Sequence, residues 1–377
     1  MIGSYLAMGF RRLVSQKLYS TLNIVGLAVG LACAILILLY VRYELSFDRG
    51  FPDSDRIYRI SAERGGNGVK PFHPAKNVYP AGPLLALDFK AEIEQTARIA
   101  ADTVRLKHGA DTYYESGFRY ADGSFFDIFA FEWLAGDPQT ALAEPSTLVL
   151  TESTAKKYFG SASPIGETLL LEGQWPLRVT GVIRDLPRNT HLSATAIASF
   201  DVGEKVLGWN YDGNWNFWHF HTYARLRPGV SIDSLSSRFA DFVARHNPGG
   251  RTGTMSAARL SDIHLHGREG ELTPPGNVAD VAAFAALAFC ILLIACVNFM
   301  NLSTARAAQR AREIGVRKVI GAFRGQLIAQ FLGEAVLYAA LAALIAVALV
   351  EVLLPPFNRF AGTAIAFGYG DAGTLAA

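Results

Sequence analysis

Three apolar runs divide the chain, and they fix its architecture before any other feature is weighed. Residues 19–40, 279–302 and 328–350 are each long enough, as helices, to cross a hydrocarbon core about 30 Å thick. Between the first and second lies a polar interval, residues 43–277, with length enough to bury a core of its own. A hydrophobic content of 51% with a mean hydropathy of +0.22 is too apolar for an ordinary soluble protein and too polar for an all-membrane one. The pattern predicts a membrane protein with three α-helical transmembrane segments and a large α+β extracytoplasmic domain.

Charge gives the orientation. Residues 1–21 contain Arg11, Arg12 and Lys17 and no acid. Residues 304–325 carry Arg306, Arg310, Arg312, Arg317, Lys318 and Arg324 against the single acid Glu313. Positive segments stay in the cytoplasm. The expected order is therefore a cytoplasmic amphipathic helix at 1–18, a first span at 19–42 and the outer domain at 43–277. A second span at 278–303, a cytoplasmic segment at 304–327, a third span at 328–351 and an extracytoplasmic tail at 352–377 complete it.

The first run is too long for a cleaved signal core, and no A-x-A site follows it. Leu31 stands one place out of register for a lipoprotein site at Cys33, so an uncleaved anchor is expected. Gly26, Gly30 and Ala34 recur every four residues and offer a face where another helix can approach closely; a plain lipid-facing helix accounts for them equally well.

The cytoplasmic stretch has more order than anchoring requires. Arg306, Arg310, Glu313, Arg317 and Arg324 fall on one helical stripe, with Glu313 four residues before Arg317, the favourable order for an ion pair. Gly315, Gly321 and Gly325 then weaken the helix, and an elbow is expected before the next span.

Arg312-Glu313-Ile314-Gly315-Val316-Arg317-Lys318-Val319-Ile320-Gly321-Ala322, followed by Gln330-Phe331-Leu332-Gly333-Glu334, resembles the signature of the FtsX/MacB-like permeases of ABC transporters. That resemblance implies that Arg312, Glu313, Gly315, Arg317, Lys318 and Gly321, with Glu334 at the membrane entry, couple the chain to a separate ATP-binding subunit. The outer interval carries the same likeness in Glu44-Leu45-Ser46-Phe47-Asp48-Arg49, Ala121–Phe129, Ala155–Gly160, Gly181–Pro187 and Asn189-Thr190-His191. There, residues 56–60, 147–151, 177–183 and 221–226 read as strands, and helices are expected near 80–90, 152–159 and 231–246, in an α+β domain of two lobes.

Chemistry finds little purchase. His219 with His221, and His264 with His266, could each face one side of a strand, and His73 and His191 could join a composite metal site. No carboxylate or cysteine stands at ligand spacing beside either pair, so structural or surface roles are the ordinary reading. Trp209, Trp215, Phe217 and Trp218 could line an apolar binding patch, but core packing is their commoner use. Cys33, Cys290 and Cys296 all lie in apolar runs, so the outer domain has no disulfide. No hydrolase, metalloprotease or redox motif occurs, no cofactor is expected, and nothing points to nucleic acid. No Gly-Lys pair occurs either, so a phosphate-cradling loop is absent from the 377 residues.

Two functions of different class fit. The first is a permease subunit that relays the motion of an ATP-binding partner to the outer domain, paired with a second copy or a paralogue, embedded in lipid and open to an extracytoplasmic partner. The second is a membrane-anchored sensor, which would need a long cytoplasmic output domain; only about twenty-five residues separate the second and third spans, which favours the permease. Members of the resembled family continue with a fourth span. The chain is then expected to be the first part of a longer permease, a truncated product or a half that pairs with another chain.

Overall fold

The computed structural model describes residues 17–66, 69–206, 208, 213–248, 250, 252–309 and 323–367. Residues 1–16 of the segment expected as an amphipathic helix and residues 310–322 of the cytoplasmic stretch lie outside these. The chain forms two units, Ser46–Asn277 and the flanking Met1–Leu45 with Val278–Ala377.

The flanking unit holds three long helices, Lys17–Leu45, Val278–Gln309 and Arg324–Ala361. Each contains a stretch apolar enough to cross a membrane, at Ser20–Leu45, Val278–Ala305 and Phe331–Ala361. The first helix packs against both others. The third runs on past the boundary expected at residue 351, so the start of the expected tail is helical. Pro355 and Pro356 sit inside that extension. They withhold two N–H donors, but their fixed φ is helical, and Leu354 and Phe357 go on packing in the cluster that holds Leu39 and Tyr43. The helix stops at Gly362, whose φ of +68° suits glycine. Beyond it, Asn358 Oδ1 accepts the Ile365 N–H at 3.1 Å and the Thr363 hydroxyl at 2.8 Å.

Within Ser46–Asn277, the described strands form one twelve-stranded sheet. They are β1 (Ile57–Gly66), β2 (Val69–Phe72), β3 (Asn77–Val78), β4 (Ile93–His108), β5 (Asp111–Ala121) and β6 (Trp133–Ala135). They continue with β7 (Thr147–Thr151), β8 (Thr168–Leu171), β9 (Trp175–Ile183), β10 (Ala196–Ser199), β11 (Trp218–Leu226) and β12 (Thr254–Arg259). The main order is β12-β1-β11-β4-β5-β10-β7-β9-β6. Pairing is antiparallel except for β10 with β5 and β7 with β9, the latter crossing over through the helix Glu152–Phe159.

In place of the two expected lobes, one sheet runs through the unit, because β4 is long enough to reach both halves. Its first half pairs with β11 from Ile93 to Ile99, and its second half pairs with β5 as far as His108 and with β8 at Leu106 and Lys107. Alternation along the strands then sorts the core into two faces. Ala100, Phe118, Tyr120, Leu148, Leu150 and Ala198 face one way, and Ile99, Ala121, Val149, Ile197 and Tyr223 the other. A third cluster around Leu85, Phe239 and Phe242 covers the β1–β11–β12 end. Gly181 marks one close approach: a Cβ there would stand 2.4 Å from the Trp133 ring.

Candidate coupling site

The outer unit begins at Ser46, the residue after the first helix, and its opening residues are locked down at once. The Asp48 N–H donates to Asn189 O at 3.0 Å, and Asn189 Nδ2 donates to Ser46 Oγ at 2.9 Å. Asp48 Oδ1 accepts the Thr190 hydroxyl at 2.6 Å and the His191 N–H at 3.1 Å, while Oδ2 lies 2.9 Å from His191 Nδ1. His191 Nε2 is in turn 2.6 Å from the Tyr223 hydroxyl on β11. All of these side chains are buried except those of Ser46 and Asn189. Asp48 holds a φ of +60°, a conformation that Asp tolerates better than most residues, so the sharp bend and the carboxylate serve one another.

The unit's last segment comes back to the same place. Phe47 lies flat on His264, with ring centroids 3.4 Å apart and planes 3° apart. The Gly276 N–H donates to His264 O at 2.9 Å, and His266 bridges Asn277, the residue before the second helix. The segments that leave the first helix and enter the second are thus fastened together inside the outer unit.

Beneath this clasp lies a buried polar cluster. Arg59 and Glu271 form a two-pronged ion pair, one arm at 2.9 Å, and His221 Nε2 donates to Gly270 O at 3.0 Å. Burial, reinforced by the Arg59 and Lys76 charges, pushes the His221 imidazole well below its usual range. Burial pushes the Arg119 guanidinium down to about 10, with Tyr223 bearing on it the other way; among the described residues its Nη1 donates to Ser116 O and Phe118 O. No group of three or more His, Cys, Asp or Glu among the described residues could hold a metal. His221 and His264 are engaged as above, and His266 Nδ1 sits 3.2 Å from Asp262 O. Trp215 packs in the core against Phe242, and Trp218 donates to Thr252 Oγ1 at 3.2 Å; Trp209 lies outside the described residues.

In the membrane unit, a Cβ on Gly30 would stand 2.5 Å from Ala295 Cβ, and one on Gly26 would stand 3.5 Å from Asn298 Nδ2. The small face at Gly26, Gly30 and Ala34 meets the second helix at its two glycines, and Ala34 is buried. Glu334 is buried too: its Oε1 accepts the Tyr338 hydroxyl at 3.2 Å, and that hydroxyl is 3.2 Å from Ser20 Oγ on the first helix. Arg312, Glu313, Gly315, Arg317, Lys318 and Gly321 lie outside the described residues. Sequence reasoning singled out the segments holding Phe47, Asp48 and His191 without seeing that they meet. Nothing in the local pattern pairs residues so far apart along the chain.

Three helices long and apolar enough to cross a membrane, with a large domain inserted between the first two and clasped at both of its ends, define a multi-pass membrane protein. Residues 20–242 match the MacB-like periplasmic core domain and residues 285–374 the FtsX-like permease C-terminal domain. The chain belongs to the MacB/FtsX-like family of ABC transporter permeases; it is an inner-membrane protein whose core domain is extracytoplasmic.

It is 21% identical to the uncharacterized ABC transporter permease YknZ of Bacillus subtilis, over 90% of this chain and 83% of that protein. It is 30% identical to the macrolide export ATP-binding/permease protein MacB 1 of Aeromonas hydrophila, over 61% of this chain and 32% of that one. With MacB of Neisseria gonorrhoeae it shares 22% identity, over 94% of this chain and 53% of that protein. It therefore spans about half the length, or less, of the MacB relatives it matches. The periplasmic region of MacB from Actinobacillus actinomycetemcomitans superposes on 57% of the chain, with 92% of its own length covered, at a TM-score of 0.42 and 15% identity. The YknZ extracellular domain superposes on 54%, with 99% of its own length covered, at 0.39 and 14%.

Proposed function

We propose that the chain relays the ATP-driven motion of a separate ATP-binding subunit to its extracytoplasmic domain, for export or extraction of a substrate on the far side of the membrane. The observation that carries this reading is the Phe47–His264 stack, together with the Asp48 carboxylate that fixes its first half. A domain whose entry and exit segments are fastened to each other responds as one body to a displacement of either helix, and a loosely tethered domain does not. The Arg312–Gly321 stretch is the docking end of the relay, where Glu313 and the bases would contact or orient the partner and the glycines would allow close approach; Glu334, buried against Tyr338, stands at the membrane entry behind it. The transport-competent unit contains two permease chains, identical or paralogous.

ATP hydrolysis belongs to the partner. The 377 residues contain no Gly-Lys pair for a phosphate-cradling loop, which supports placing the nucleotide site outside them. The purified chain alone is expected to hydrolyse ATP no faster than a mock preparation, and reconstitution with the ATP-binding subunit should confer hydrolysis. Hydrolysis by a preparation shown to be free of ATPase subunits would overturn the assignment.

A further inference from the structure

The contact between the first and second membrane helices holds an unmet demand. Asn23 is 1% exposed, yet neither its amide oxygen nor its nitrogen has a hydrogen-bond partner among the described residues. In the hydrocarbon region no bulk water can answer for a buried amide, so such an orphan is costly. Asn23 lies on the same helical stripe as Gly26, Gly30 and Ala34. The second helix presents a narrow stripe in return: Val281, Ala288 and Ala295, its buried hydrophobic residues, recur every seven residues.

The two helices run antiparallel, with Ala295 against Gly30 and Asn298 against Gly26. A slide of the second helix by three to four residues, about 5–6 Å at the helical rise, would carry Ala295 from Gly30 to Gly26. Asn298 is three residues farther along the second helix, and Asn23 is three residues before Gly26 on the first. The same slide therefore brings Asn298 level with Asn23. Both changes occur together: the small side chain exchanges one glycine seat for another, and the orphaned amide meets a second amide able to donate and accept. Helices pack through discrete seats, so a one-turn ratchet is a natural second state.

We propose that the first and second membrane helices exchange between two registers one turn apart. The observed register seats Ala295 on Gly30, and the other pairs Asn23 with Asn298. The first helix stays with the third throughout, held by Ser20 near Tyr338 and by Ile24, Leu27 and Ala28 packed with Tyr338 and Ala342. The second helix is the moving part; because it continues directly from Asn277, the slide gives up the Gly276–His264 and His266–Asn277 contacts while the Phe47–His264 stack holds. Only the assignment of ATP as the driver rests on the function proposed above.

Disulfide trapping in native membranes tests this on the full chain, with Cys33, Cys290 and Cys296 replaced by alanine. One variant carries Gly26→Cys with Asn298→Cys, the other Asn23→Cys with Asn298→Cys. Each is oxidised with and without the co-expressed ATP-binding subunit and a non-hydrolysable ATP analogue. Both pairs should crosslink in the chain alone, and the analogue should raise one yield several-fold while lowering the other. Crosslinking of both pairs with no response to the analogue would leave the two registers standing and remove ATP as their driver. Crosslinking of the 26–298 pair alone under every condition would overturn the proposal. So would failure of both pairs, since Asn298 beside Gly26 is its premise.

Discussion

Phe47 and His264 are stacked face to face although 217 positions separate them, and they belong to the two segments by which the outer domain joins its membrane helices. Phe47 is buried, and truncating it removes a ring from a packed site. Phe47→Ala should lower the stability of the outer domain by about 3 kcal/mol, the low end for a buried Phe. Denaturant unfolding of the full chain in detergent, followed through tryptophan fluorescence, measures it. A loss below about 1 kcal/mol would mean that the stack fastens nothing.

Asp48 separates geometry from charge. Asp48→Ala removes both acceptor atoms and places a residue poorly suited to φ +60°, whereas Asp48→Asn keeps the conformation and one acceptor. The alanine variant should cost about 3 kcal/mol and the asparagine variant about 1–2 kcal/mol, in the same unfolding assay. Equal losses would assign the whole effect to the carboxylate charge that both variants remove and none of it to the backbone bend.

Arg59 and Glu271 pair while both are almost fully buried. Removing one partner strands a charge in the core, so Arg59→Met or Glu271→Leu alone should cost about 3–5 kcal/mol. The double variant should regain at least half of the summed loss, because no charge is left uncompensated. Simple additivity in the double-mutant cycle would contradict the pairing.

Acid should weaken the outer domain through His221. Its folded-state pKa lies well below the ordinary value, so between those two values the unfolded chain binds a proton that the folded chain refuses. Stability is then fully present above about pH 6.5 and falls as pH drops below it, by up to about 1.4 kcal/mol per pH unit for this one group. His221→Gln should flatten the slope measured between pH 7 and pH 5, values taken on either side of the ordinary histidine range of about 6.5. An unchanged slope would place the acid sensitivity elsewhere.

Periodicity and propensity made the regular elements readable. The branched runs at 147–151 and 177–183 became β7 and β9, and the apolar spacing around 152–159 became the helix that connects them. Strand length was harder to read: β4 contains Ala100, Ala101 and Asp102, which give no continuous branched signal, and that strand is what joins the expected lobes into one sheet. The third helix ran past Pro355 because tertiary packing of Leu354 and Phe357 outweighs two missing donors. The clasp was invisible for a different reason. Asp48 with His191, and Phe47 with His264, are long-range pairs, and local sequence carries no term for them.

The central claim is that the Arg312–Gly321 stretch docks on an ATP-binding partner rather than merely holding a loop in the cytoplasm. Exchanging two charges within it, Glu313→Arg with Arg317→Glu, keeps the loop's total charge and reverses the order of one helical pair, a direct cost of about 0.2–0.5 kcal/mol. That is too little to unfold the protein, and the insertion signal is unaltered. Co-purification of the ATP-binding subunit, measured beside membrane abundance, should show normal abundance with reduced partner recovery and lost transport-coupled function. Undiminished recovery and function in the exchanged variant would reduce the stretch to a topological anchor and contradict the relay.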